Sequence, residues 1–247
     1  MKSVVIGATA GIGRELTNSL ASEGHSLLIT GRDIDDLSVC VQDLQITYGV
    51  KVESIVIDAS KPSDYADSLE KAAVNLGEIN FLFLPIGVSS EQDTGGLDFL
   101  EVSEIINTNL LAVISAVRIF QPYFMKTGSA GIIGFSSVAA TRGRDENVIY
   151  SAAKRALESY FESLRFSFHG SKLFIQLYKL GYVDTYQSYG KMLTLPKVSP
   201  SKVSSFVISN LQNGSLVCYY PRYWAPIALI LRSAPFNLFR KLVKRQK

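Results

Sequence analysis

Apolar residues come in short unbroken runs: KSVVIG at the start, then SLLIT, VESIVI, INFLFL, GIIGF, KLFIQLY and SLVCYY. Between them lie stretches of helical length. Runs such as Val4-Val5-Ile6 and Phe81-Leu82-Phe83-Leu84 are apolar at every position, the pattern of strands covered by helices on both faces. Seven such strands alternating with helices predict an α/β fold with one doubly wound parallel sheet. Helices are expected from about Gly11, after Asp33, after Pro62, up to about Lys126, through Tyr150 and from Ser201. Residues 1–222 read as the sheet domain, and 223–247 as a helical, basic tail packed on it or extending from it.

Composition narrows the class. With 247 residues, 47% hydrophobic and 19% charged, and no linker-like stretch, the chain suits one folded domain and excludes a disordered or collagen-like one. Cys40, Cys218, His25 and His169 are too few and too scattered for a disulfide framework or a metal cluster, so a reduced compartment and no metal are expected. The apolar run beginning at Val4 leaves no room for a signal peptide, and a cytoplasmic location follows as an expectation.

Charge is uneven. Residues 232–247 hold six basic side chains (Arg232, Arg240, Lys241, Lys244, Arg245, Lys247) and no acidic one, while the rest of the chain has an acidic excess. Positive charge confined to a tail argues against nucleic acid and fits a membrane surface or a solvated terminus. The apolar run Tyr223 to Leu231 is shorter than the roughly 20 residues a bilayer span needs. As an interfacial helix, this region would place Trp224, Ile227, Leu231, Phe236, Leu238 and Phe239 at the headgroup boundary, with Pro226 and Pro235 interrupting it. The alternative is a final core helix followed by a frayed basic end.

After the first strand comes GATAGIGRELTNSLASEG, with Gly7, Gly11 and Gly13 spaced GxxxGxG and Thr9, Ala10 and Ile12 completing the turn. Gly7 permits a tight exit from the strand, Gly11 lets backbone approach a pyrophosphate, and Gly13 lets the helix pack on the sheet. The helix N-terminus supplies N–H groups to the anion. At the end of the second strand, Thr30-Gly31-Arg32 has no acidic side chain to hold the adenosine ribose. Arg32 can instead pair with a 2′-phosphate, which favours NADP(H) over NAD(H). Asp58, ending the third strand, is placed to meet the adenine edge or to cap the next helix.

In VIYSAAKRALESYFESL, Tyr150 precedes Lys154 by one helical turn. A nearby ammonium lowers the pKa of a phenol, which is ordinarily near ~10, and makes it an acid–base group at neutral pH. Ser137, thirteen residues earlier in GIIGFSSVAA, can donate to a carbonyl oxygen as negative charge develops. Together these groups point to hydride chemistry on a carbonyl.

With the glycine turn, this set resembles the short-chain dehydrogenase/reductase family over essentially the whole chain. The resemblance implies a Rossmann fold with a seven-stranded parallel sheet. It implies Tyr150 as general acid in reduction or base in oxidation, Lys154 binding the nicotinamide ribose, and Ser137 orienting the substrate. Asn109 in INTNLLAV matches the family asparagine that holds a water linking the lysine to solvent, with Asn107 close by. Gly87, Val183 and Thr185 fall at cofactor-contact positions. A homodimer or homotetramer through the helices near 108–126 and 150–168 is also implied. Departures are visible: Ile6 replaces a threonine, Leu84-Pro85-Ile86-Gly87 replaces NNAG, and Leu180-Gly181 replaces PG.

On the substrate side, Arg142 and Arg144 in VAATRGRDENVI are candidates to grip an anion. The stretch from Tyr186 to Pro200, YQSYGKMLTLPKVSP, reads as a lid whose Tyr186, Tyr189, Met192 and Leu193 give an apolar inner face. The ending VCYYPRYWAP…APFNLFRKL resembles that of bacterial family members that reduce a keto group on a polyprenyl-linked sugar for the cell envelope. An NADPH-dependent ketone reductase acting on such a small-molecule carbonyl is the leading expectation. A reductase or dehydrogenase of a steroid or acyl ketone, and a non-catalytic NADP-binding regulator, are the alternatives.

Overall fold

The structure, a computed structural model, describes residues 1–125, 128–188 and 195–244. Seven strands form one sheet: β1 (Lys2–Val5), β2 (Ser26–Gly31), β3 (Val52–Val56), β4 (Phe81–Leu84), β5 (Ala130–Ser137), β6 (Leu173–Leu180) and β7 (Leu216–Tyr220). Their order is β3-β2-β1-β4-β5-β6-β7, and every pairing is parallel. Val4 of β1 lies beside Leu28 of β2 and Leu82 of β4, so the strand order reverses at β1 and β4. In open α/β sheets ligands bind at such a reversal, beyond the carboxyl ends of the strands.

The unbroken apolar runs become two cores by alternation. Val4, Leu28, Leu82 and Ile132 face one side, whereas Val5, Ile29, Phe83 and Ile133 face the other. Helices α1 (Gly11–Ser22) and α2 (Ile34–Tyr48) cover the second face with Leu16, Leu20, Leu37 and Leu44. On the first face lie α3 (Pro62–Leu76), α4 (Phe99–Ile106), α5 (Ala112–Phe120) and α6 (Val148–Ser167), which bury Tyr65, Leu69, Val117, Phe120, Leu157 and Phe161. Each such side chain contributes about 1.5–3 kcal/mol when fully removed from water. Helix α7 (Pro200–Ser209) returns to the second face through Val203 and Val207.

Helix starts follow local chemistry. Asp33 accepts from the N–H groups of Asp35 and Asp36 at α2, Pro62 opens α3, and Asp98 with Glu101 forms a capping box at α4. The continuous helical run Phe99–Tyr123 is long and apolar enough to cross a membrane by length and composition. It lies on the sheet instead, with Ile105, Ala112, Val113, Ala116, Val117 and Phe120 buried.

After β7, α8 (Trp224–Ser233) and α9 (Phe236–Lys244) fold back onto the body. Trp224, Ala228 and Phe239 are buried, and Ile227 and Leu231 are half-buried. This corrects the expected membrane-facing set, because Trp224 and Phe239 belong to the core and only Phe236 and Leu238 of that set are exposed. Arg245 and Lys247 lie outside the described residues.

Candidate active site

The glycine turn closes tightly. A methyl group on Gly13 would run into the Gly7 carbonyl oxygen, so no larger residue lets α1 sit this close to the turn. Gly7 adopts φ +86° and donates its N–H to Thr30 Oγ1 at 3.0 Å. Ala10, the N-cap of α1, is extended and offers no side-chain acceptor, and no acidic residue occupies the first turn. The N–H groups at the start of α1, around Gly11, Ile12 and Gly13, are thus left for an external anion. Thr9 packs against Gly31, and Thr185 comes against Gly11.

Arg32 is exposed at the end of β2 and close enough to Asp58 to act on its charge. Burial raises the Asp58 carboxyl, but hydrogen bonds from the Ser60 hydroxyl and N–H, with Lys61 and Arg32, outweigh it and bring the group below its ordinary value. Asp58 accepts from Ser60 at 2.7 and 3.0 Å, whereas the N-cap of α3 is Lys61, so Asp58 forms a local turn and does not cap the helix.

The acid–base residues meet at the carboxyl end of β5. Gly134 lets the Phe161 ring lie directly on the strand and brings α6 down onto the sheet. Lys154 is 4% exposed, with Nζ donating to the Phe135 and Ile86 carbonyls at 3.1 and 3.3 Å, and it lies 5.9 Å from the centre of the Tyr150 ring. Burial lowers its pKa to about 8. Ser137 accepts from the Ala139 N–H at 3.1 Å and lies within hydrogen-bonding reach of the Tyr150 hydroxyl. For Tyr150, burial pushes the phenol above its ordinary value, and the Ser137 hydrogen bond opposes this only in part. The expected lowering of the phenol by Lys154 is therefore corrected: burial and the Ser137 hydrogen bond, not the lysine, set the direction of its shift.

Asn109 differs from its neighbour Asn107 in its surroundings. It is fully buried, whereas Asn107 donates to the Ser60 carbonyl at the other side of the helix. Asn109 Nδ2 donates to the Val88 and Ile105 carbonyls at 2.7 and 2.9 Å, taking the carbonyl that an α-helix would give to its own N–H. The backbone from Asn107 to Leu111 widens into a π-turn there. Asn109 Oδ1 is buried without a hydrogen-bond partner among the described residues. A methyl on Gly87 would lie 2.9 Å from that oxygen and 3.2 Å from Lys154 Nζ, so the three groups converge.

Close packing surrounds two of the departures from the family pattern. Ile86 fills the space under Gly7 while its carbonyl holds Lys154. Gly181 lies beneath the Trp224 indole, which no Cβ would permit. Val183 pairs with Val198, and the Tyr182 carbonyl and Asp184 N–H bond Val198 as well, tying the segment after β6 to the residue two positions before α7.

Two substrate-side expectations change. Arg142 Nη1 donates to the Leu231 carbonyl at 2.7 Å and to that of Ala234, and its guanidinium lies 4.3 Å from the centre of the Phe239 ring. It thus ties down the end of α8, where unpaired carbonyls and the negative helix pole favour a cation, and does not reach for an anion. Tyr186 is 94% exposed, so its ring does not line a pocket. Tyr189, Met192 and Leu193 lie outside the described residues, and Arg144 is half-buried on the loop before α6.

Three supporting residues escaped the sequence reading. Asp93, 1% exposed on the loop after β4, accepts from the N–H groups of Ile149 and Tyr150 at 2.9 Å each. Its clue is negative: Asn147 at the start of α6 provides no side-chain cap, so a cap has to come from elsewhere. Glu158 joins Ser136 at 2.9 Å and Lys179 at 2.7 Å, fixing α6 to β5 and β6. Trp224 covers the segment after β6 from the C-terminal helices.

The family model for short chain dehydrogenases matches residues 2–191. The chain belongs to that family. It is an NAD(P)-dependent oxidoreductase built as a seven-stranded Rossmann fold. An uncharacterized oxidoreductase of Mycobacterium tuberculosis strain H37Rv is 24% identical over 239 residues, covering 97% of this chain and 96% of that protein. Among solved structures, a short-chain dehydrogenase from Sphingobium yanoikuyae in complex with NADPH superposes with TM-score 0.81 at 22% identity, covering 89% of this chain and 87% of that one. A Burkholderia phymatum short chain dehydrogenase/reductase in complex with NAD superposes with TM-score 0.80 at 20% identity, covering 92% and 91%. In this family's terms, the uncapped start of α1, the glycine turn and the unpartnered Asn109 oxygen fit a nicotinamide dinucleotide.

Proposed function

We propose that the protein reduces a ketone to an alcohol with NADPH, and that Tyr150 delivers the proton. The observation carrying this reading is the placement of the Tyr150 phenol within hydrogen-bonding reach of Ser137 and one helical turn from Lys154, whose Nζ lies 5.9 Å from the centre of its ring. In reduction the phenol is the proton donor, and in the reverse oxidation the same group accepts the proton as phenolate. When bound, the nicotinamide supplies hydride to the carbonyl carbon. Ser137 and Tyr150 donate to the carbonyl oxygen as its charge develops, and Tyr150 then transfers its proton there. Lys154 stabilises the resulting phenolate, and Asn109 Oδ1 supports a water beside Lys154 through which the phenolate is reprotonated.

Gly7 to Gly13 and the start of α1 would hold the pyrophosphate, with Gly87, Val183 and Thr185 toward the nicotinamide. Arg32 would pair with the 2′-phosphate of NADP, while Asp58 faces the adenine. The substrate class is a keto-sugar intermediate of the cell envelope, for which the C-terminal resemblance is the support, with Arg144 as the remaining anion contact. Residues 1–222 form the catalytic domain of a cytoplasmic homo-oligomer, for which the π-turn before α5 leaves Leu111 exposed and α6 leaves Phe166 exposed. Replacing Tyr150 with Phe tests the assignment: reduction falls about 10²–10⁴-fold while NADPH binding is unchanged. Full turnover in Y150F would remove it. Comparing a keto-sugar phosphate with a steroid ketone as substrates decides between the two substrate classes.

A further inference from the structure

Helix α8 has two sides of different character. Trp224, Ile227, Ala228 and Leu231 recur at helical spacing on the inward side. Ala225, Pro226, Leu229 and Ile230 face outward, with Leu229 67% and Ile230 65% exposed. In α9, Phe239 points inward while Phe236 and Leu238 are 68% and 52% exposed. A helix that merely meets water has a different outer face, as in α3, where Asp64, Asp67, Glu70 and Lys71 are exposed. Arg232, Arg240 and Lys241 are also exposed here, and no acidic residue occurs from Pro221 onward.

We infer that the outer side of the α8–α9 pair docks on an anionic lipid bilayer. A bilayer interface offers both partners this surface needs, an apolar acyl boundary for Leu229, Ile230, Phe236 and Leu238 and negative headgroups for the three cations. A second copy meeting the same face about a two-fold axis would set these cations against their own equivalents with no acid to pair them. Both helices are too short to span, so the contact is peripheral.

The docking surface is joined to the site. Arg142, on the loop leading from Ser137 to Tyr150, binds the last carbonyls of α8, and Trp224 covers Gly181 after β6. A bilayer against α8 and α9 therefore lies beside the loop that borders the substrate. In combination with the reductase reading, this names the substrate as a ketone carried on a lipid anchor, although lipid binding itself does not depend on turnover.

The test is sedimentation of the full chain with vesicles of phosphatidylcholine alone or mixed equally with phosphatidylglycerol. The wild type should bind the mixed vesicles, and binding should weaken as salt rises beyond about 0.1 M. The double variant Leu229→Asp/Ile230→Asp should lose binding, and Arg240→Glu/Lys241→Glu should lower it by about tenfold or more. NADPH fluorescence titration verifies that both variants are folded. Docking is overturned if the wild type ignores mixed vesicles or if L229D/I230D binds them unchanged. A dimer that ignores vesicles and dissociates in L229D/I230D would assign the face to a second copy. Vesicle binding by a chain that turns over no ketone would retire the reductase reading and leave docking standing.

Discussion

The backbone N–H of Tyr150 donates to the carboxylate of Asp93 at 2.9 Å, and the Ile149 N–H donates to the other oxygen of the same group. The loop after β4 thereby caps the helix that carries the acid–base pair, and the cap's negative charge opposes the positive pole of that helix. Asp93 is a positioning residue: it fixes where α6 begins and so where the Tyr150 hydroxyl stands against Ser137.

Replacing Asp93 with Ala leaves two buried donors without a partner. Stability should drop by about 2 kcal/mol, and kcat should fall about tenfold through misplacement of the phenol. KM for NADPH should stay the same, because the glycine turn lies on other elements. Asp93→Asn, which keeps one acceptor, should recover most of the stability. Urea unfolding with steady-state kinetics measures both quantities. An equal loss of NADPH affinity would mean that the residue supports the fold at large and does not position the phenol.

The pH profile of ketone reduction should follow Lys154. Its pKa is lowered to about 8 by burial, so it is charged below that value and neutral above it. Loss of the charge removes the stabilisation of the forming phenolate, so kcat/KM should be flat below pH 8 and fall above it. Lys154→Met should remove the break and give a low, nearly level profile. A wild-type rate that climbs through pH 8 would contradict this assignment.

Much of this was legible in the order of residues. The seven apolar runs became seven parallel strands; central ones such as β4 are buried on both faces, while the edge strands β3 and β7 leave Val56 and Val217 exposed. Gly7, Gly11, Gly13, Ser137, Tyr150 and Lys154 converge because motif residues at strand ends share the same edge of the sheet. What stayed hidden depends on contacts distant in sequence. Nothing local connects Asp93 to Ile149, or Arg142 to the carbonyls of Leu231 and Ala234, and an arginine near a site reads as an anion ligand until the returning helix is seen. The raised Tyr150 phenol was missed for a similar reason: burial is the main cause of its shift, and burial is not visible in the order of residues.

The Arg142 contacts give a separable prediction. Arg142→Ala removes two charge-assisted hydrogen bonds and the stacking on Phe239, which should destabilise the attachment of α8 and α9 by about 2 kcal/mol. Amide exchange should accelerate in residues 224–241 and remain slow in β1 and β4. Arg142→Lys should recover little, because an ammonium cannot reproduce the planar fork over a ring. Unaltered exchange in R142A would show that Trp224 and Ala228 alone hold the pair.

His25 makes stability depend on acid independently of the site. It is fully buried, hydrogen-bonded to Ser3 at 2.8 Å and stacked on Phe81, with its pKa lowered to about 4 by burial and then by the positive amino terminus. The unfolded chain takes up a proton at this residue near the ordinary value of about 6.5, whereas the folded chain resists until about 4. Between those values the unfolded state binds more protons, so stability is complete above the upper one and is lost as pH falls toward the lower one. The loss attributable to His25 is about 3 kcal/mol across that window. Urea unfolding at pH 7.5 and pH 5 should show a smaller difference in His25→Gln than in the wild type. Equal differences in the two proteins would place the acid sensitivity elsewhere.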